Sequence, residues 1–84
     1  MKEFLGQVKV RLKTAVLDPQ GKAVAQGLLS LGFANVADVR VGKLIEVKLK
    51  AANKEDAENA LRQMGEKLLS NPVMEKFEVA VLEK

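Results

Sequence analysis

Val16-Leu17-Asp18-Pro19-Gln20-Gly21 is the corner from which the fold can be read, because it closes a strand-like run and opens a helix. Asp18 suits the N-cap, where its carboxylate accepts hydrogen bonds from first-turn amides that have no partner within the helix. Pro19 suits the first helical position, since its φ is already helical and its missing N–H is not needed there. Gly21 fits less well, because glycine inside a helix weakens it by about 0.5–1 kcal/mol relative to alanine. Two readings of Gly21 stand: a plain capped start that tolerates a glycine, or a place where another stretch of backbone comes close.

Upstream of the corner, Phe4, Gly6, Val8, Val10 and Leu12 alternate with Leu5, Gln7, Lys9, Arg11 and Lys13. A period of two with one apolar face predicts a half-buried strand. Downstream, Ala23, Val24, Gly27, Leu28 and Leu31 share one helical stripe, and Gly27 suggests close packing of that helix on the sheet. Gly32 suits the left-handed residue after the helix, with Phe33 reaching back to Leu28 as in a Schellman ending. Residues 36–49 read as two strands joined at Gly42-Lys43, with Ala37, Val39 and Val41 on one face of the first and Ile45, Val47 and Leu49 on one face of the second. Gly42 is a hairpin signal, although weaker than Asn-Gly.

Asn53 caps a second helix, with Asp56 completing a box-like start and Ala57, Ala60, Leu61, Met64 and Leu68 forming its stripe. Asn71 precedes Pro72, which turns it away from helical geometry and ends this helix near Ser70. Phe77, Val79 and Val81 then alternate with Glu78, Ala80 and Leu82 as a last strand. The order βαββαβ predicts an α+β, ferredoxin-like sandwich: a four-stranded sheet with two helices on one face. The other face would carry Leu5, Lys9, Arg11, Arg40, Glu46, Lys48, Ala80 and Leu82. Such a half-apolar surface invites pairing with a second copy, so the expectation is a dimer, or a higher oligomer, formed through the sheet.

Composition limits the chemistry. The 84 residues suffice for one domain, 1–84, with one core. There is no histidine and no cysteine, so the commonest general base and the thiolate nucleophile are both missing, and no metal site is expected. The lack of cysteine fits a cytoplasmic protein, and no secretory or membrane-spanning apolar run is present. A net charge of +3 is interspersed with acidic residues, and the only aromatics, Phe4, Phe33 and Phe77, sit in apolar patterns. Nucleic-acid binding is therefore not expected. A P-loop or dinucleotide fingerprint is absent. The position ahead of the first helix lacks the glycine-rich, arginine-ended loop of an acyl-phosphate hydrolase. The acidic pairs Glu55-Asp56 and Glu75 with Glu78 read as a helix start and a solvated face. These features favour a binding or assembly domain over an enzyme.

The residues Val16-Leu17-Asp18-Pro19-Gln20-Gly21, Leu31-Gly32-Phe33, Val39-Arg40-Val41-Gly42-Lys43 and Leu68-Leu69-Ser70-Asn71-Pro72-Val73-Met74-Glu75 resemble, in order and spacing, the PurS subunits of phosphoribosylformylglycinamidine synthase. The resemblance spans nearly the whole chain. It departs from the family at Ser70, where alanine is common, and at Phe77, where tyrosine is more frequent. It implies a small non-catalytic subunit of a purine-biosynthetic ligase, needing no cofactor. Such a subunit acts as a homodimer or homotetramer. It bridges a glutaminase subunit, which releases ammonia, and an ATP-dependent synthetase subunit, which uses the ammonia to form the amidine. The residues expected to meet these partners are Asp18, Pro19, Gln20, Gly21, Arg40, Gly42 and Lys43, with Asn71 and Pro72 as weaker candidates. Helix caps, a solubilising turn and helix termination remain the simpler readings of the same residues. The alternative function is a regulatory domain of the same strand order that binds a small ligand at a dimer interface.

Overall fold

The computed structural model describes residues 1–83. Its elements run β1 (Lys2–Leu12), α1 (Pro19–Ser30), β2 (Gly42–Ala51), α2 (Lys54–Met64) and β3 (Glu75–Glu83), with a π-helical turn, Gly65–Leu69, continuing α2. The sheet has three antiparallel strands in the order β2-β1-β3. β1 is central because its apolar face is the most regular. Phe4, Val8 and Val10 are each at most 1% exposed. Val8 lies between Ile45 on β2 and Val79 on β3, and Gly6 lies between Val47 and Val81.

α2 covers this face. Asn53 caps it by accepting a hydrogen bond from the Asp56 amide at 2.9 Å, and Ala57 and Leu61 bury completely against the sheet. Its solvent side carries Glu58 and Arg62 one turn apart, at 3.7 Å. Ser70 ends the helical run in an extended conformation just before Asn71-Pro72, and its hydroxyl donates to the Gly65 carbonyl at 2.8 Å. The opposite sheet face carries Leu5, Lys9, Arg11, Glu46, Lys48, Ala80 and Leu82, as expected from alternation.

Three expectations are corrected. Among the described residues the sheet has three strands, not four, and no hairpin forms at Gly42-Lys43. Residues 36–41 are not a strand, because their backbone donors are committed elsewhere: the Val39 amide to the Asp38 carboxylate and the Val41 amide to Asp18. Arg40 consequently leaves the outer sheet face. Next, α1 does not join α2 on the sheet; only its first turn is held, at the sheet's end. Finally, a Cβ built on Gly27 would meet nothing within 4 Å, so that glycine is not a contact with the sheet. The helix ending is as read: Gly32 has φ +99°, and the Phe33 amide donates to the Leu28 carbonyl at 3.0 Å.

The result is an elongated molecule. Its radius of gyration is 16.3 Å, against about 12 Å for a compact chain of this length. The extent of 51 Å along the long axis comes from α1 and the segment returning from it, which stand out from the sheet as an arm.

Candidate partner-binding surface

The corner, the Arg40 segment and the Asn71-Pro72 turn, far apart in sequence, meet at one end of the sheet. There β1 finishes, β2 and β3 begin, and α1 takes its root. Asp18 is the centre of this end and only 4% exposed. One carboxylate oxygen accepts from the Gly21 amide at 2.9 Å, as an N-cap should. The other accepts from the Val41 amide at 2.8 Å, clamping the start of α1 to the chain entering β2. These two bonds, Val41's foremost, hold the Asp18 carboxyl below its ordinary value of 3.8. A carboxylate so committed is a structural anchor rather than a proton carrier.

Gly21 is explained by the same clamp. A Cβ there would collide with the Val39 carbonyl oxygen, so the second reading of this glycine, close approach of another backbone, holds. Pro19 occupies the first helical position and Gln20 lies beside it, both exposed. Arg40 reaches back across the corner, its guanidinium donating to the carbonyls of Lys13 at 3.0 Å and Val16 at 2.9 Å. A guanidinium has five N–H donors, so further ones remain for another molecule.

Asn71 and Pro72 belong to this end through Glu75. The Asn71 amide donates to the Glu75 carboxylate at 2.7 Å, and the Glu75 amide donates back to the Asn71 carbonyl at 2.7 Å. The Lys43 ammonium lies 3.7 Å from the same carboxylate. The Asn71 side chain closes an Asx turn by accepting from the Val73 amide at 3.1 Å. Met74 completes the joint by accepting from the Lys13 amide at 2.8 Å.

Two shallow depressions flank this end. One, of about 320 Å³, is bordered by Asp18, Gln20, Gly42, Lys43 and Glu75; the other, of about 240 Å³, by Arg11, Thr14, Asp38, Arg40 and Lys76. Among the described residues no cluster of three metal-ligating side chains converges. The end is thus a stiff, polar-rimmed surface, with its internal bonds made and Gln20, Lys43 and Arg40 on its rim.

All nine candidate residues lie at or beside this end, Asn71 joined to it through Glu75 and Met74 and Pro72 following it in the same turn. Sequence reasoning missed two members. Val41 is the second partner of Asp18, but 23 residues separate the two and no local pattern reports such a bond. Glu75 belongs to a solvated face by its sequence pattern, whereas it joins Asn71 to Lys43; its position four residues after an Asx-turn asparagine is the available signal.

Comparison with known proteins agrees with this architecture. Residues 6–83 match the family model described as PurS: Phosphoribosylformylglycinamidine (FGAM) synthase. The chain is 42% identical over 77 residues to phosphoribosylformylglycinamidine synthase subunit PurS of Bacillus subtilis, covering 92% of this chain and 90% of that protein. The crystal structure of Thermus thermophilus PurS superimposes with a TM-score of 0.89 at 41% identity, over 98% of each chain. A chain of the PurLQS structure from Thermotoga maritima superimposes with a TM-score of 0.88 at 34% identity, over 98% of this chain and 100% of that one. The strand pattern, the clamped corner and these matches lead to one conclusion: this chain belongs to the PurS family of FGAM synthase.

Proposed function

We propose that this chain, acting as one unit over residues 1–84, is the small non-catalytic subunit of FGAM synthase in de novo purine biosynthesis. In this role it works in the cytoplasm, without a cofactor. It bridges the glutaminase and the ATP-dependent synthetase subunits and supports transfer of ammonia between them, so that formylglycinamide ribonucleotide becomes its amidine. The observation that carries the reading is the end-to-end match to a chain of the T. maritima PurLQS structure, which leaves no part of that chain unaccounted for. The chemistry of the chain supports it. With no histidine or cysteine in 84 residues, and with the one carboxylate buried among the described residues bound by two amides, the chain offers surfaces rather than a reacting group.

The end of the sheet bearing Asp18, Pro19, Gln20, Gly21, Arg40, Gly42, Lys43, Asn71 and Pro72 is the surface that meets these partners. Self-association to a homodimer or homotetramer uses the outer sheet face, where Leu44 and Leu82 are about half exposed among charged neighbours. The test is reconstitution. Omitting this chain should abolish glutamine-dependent amidine formation and leave ammonia-dependent formation intact. Equal glutamine-dependent activity without it refutes the bridge. Arg40→Ala should keep the circular dichroism of the native chain yet weaken assembly at least several-fold; unaltered assembly removes Arg40 from the contact surface.

A further inference from the structure

We propose that Arg11 and Lys76, in the last row of the outer sheet face, form with Arg40 a socket for a carboxylate side chain on an acidic segment of a partner subunit.

The three cations come from distant parts of the chain. Arg11 lies at the end of β1, Lys76 at the start of β3 and Arg40 in the segment that leads into β2. The antiparallel register sets Arg11 directly opposite Lys76. Like charges opposed across two strands work against the sheet, so the fold carries this pair at a cost. On its other flank Arg11 faces Gly42. The missing side chain there gives the arginine stem its room, since a Cβ on Gly42 would stand 3.1 Å from the Arg11 Cγ. Together with Thr14 and Asp38, the three cations border the depression of about 240 Å³.

Their charges are only partly matched. Arg11 is paired with Glu78. The Nη2 group of Arg40 is taken by the Lys13 and Val16 carbonyls, which leaves its Nε and Nη1 donors for a further acceptor. Neutral carbonyls fix the guanidinium without cancelling its charge. Among the described residues no carboxylate comes within ion-pair distance of Arg40 or Lys76. A guanidinium already held in place binds an anion well, because little remains to be ordered when the anion arrives.

Size and charge select the anion. Sites that enclose a whole small molecule are about 300–1,000 Å³. This depression is smaller and shallow, enough for one charged group at the end of a longer chain. A phosphate dianion would meet opposition from two carboxylates. Asp38 borders the depression, and Asp18, held first by the Val41 and Gly21 amides and then by the charge of Arg40, is near. A single negative charge answers Arg40 and Lys76 with less opposition, and a carboxylate matches the planar guanidinium fork. An aspartate or glutamate on a partner surface supplies it. The rows through Leu5, Gln7 and Lys9 stay free for self-association.

The socket rests on the bridging reading and adds Arg11 and Lys76 to the partner surface. Its test uses the chain assembled with the synthetase and glutaminase subunits. A carbodiimide joins an amine to a carboxylate only where the two are already in contact. Treating the complex should therefore link the Lys76 Nζ to an aspartate or glutamate of a partner subunit, located by mass spectrometry of the digest. Lys76→Glu should weaken assembly at least about tenfold at low salt, with the deficit shrinking as salt rises. Its own Tm should be unchanged or raised, because the opposed cations are gone. Lys76→Arg should assemble like the parent yet lose the cross-link. Lys54→Glu, at the opposite end of the sheet, should change neither. Assembly that ignores Lys76→Glu overturns the socket and leaves the bridge standing. A Lys76 cross-link found only within its own chain, or to a second copy, does the same. Inorganic phosphate that binds the isolated chain and displaces the partners overturns the carboxylate in favour of a phosphate ligand. A parent chain that joins neither subunit overturns bridge and socket together.

Discussion

Replacing Gly21 with alanine separates local propensity from the tertiary clamp, because the two predict opposite signs. Within an isolated helix the change should stabilise by about 1 kcal/mol, since alanine is the better helix former. Here the new methyl would run into the Val39 carbonyl and would stand 2.7 Å from an Asp18 carboxylate oxygen. Neither neighbour is the tip of a flexible side chain, so the segment entering β2 must retreat. Forcing a methyl into packed space costs about 1–3 kcal/mol. Losing the bond that the Val41 amide makes to Asp18 adds about 1 kcal/mol. After subtracting the propensity gain, the net expectation is a loss of about 2 kcal/mol. For a domain of this size that lowers Tm by roughly 10 °C. The chain has no tryptophan or tyrosine, so unfolding is best followed by far-UV circular dichroism at a fixed chain concentration. A variant as stable as the parent, or more stable, would refute the clamp.

Leu61→Ala should be among the most costly core changes, at about 3 kcal/mol, because the side chain is fully buried between α2 and the central strand; a loss below about 1 kcal/mol in chemical denaturation would show that the core closes around the gap. Acid should loosen the arm. The Asp18 carboxyl is held below 3.8 in the folded chain, so its stabilisation is fully present above that value. It is lost as pH falls from 3.8 through the lower folded value. Hydrogen exchange at the Gly21 and Val41 amides should therefore accelerate across that acid range, and Asp18→Asn should remove the dependence. Exchange at these amides that ignores pH in both proteins, once the intrinsic rate is corrected, contradicts the assignment.

Where an element depends on its own residues, the sequence was sufficient. Alternation placed β1 and its buried face, because side chains of a strand point to opposite sides whatever the neighbours are. The Asp18 and Asn53 caps, the Gly32 ending and the stop at Asn71-Pro72 were legible because each is a bond or a steric limit spanning a few residues. The motifs, in their order and spacing, carry the family resemblance by themselves. Residues 36–41 and the position of α1 were decided only by tertiary structure. The alternation of Ala37, Val39 and Val41 is a real strand pattern, but pattern records which side chains are apolar and not where backbone donors find acceptors. Asp18 takes the Val41 amide from 23 residues away, which removes that segment from the ladder and roots the arm at the sheet's end. The apolar stripe of α1 likewise marks one face of the helix without stating where in the fold that face stands. Burial is a property of two surfaces, and a single strip of sequence describes one of them.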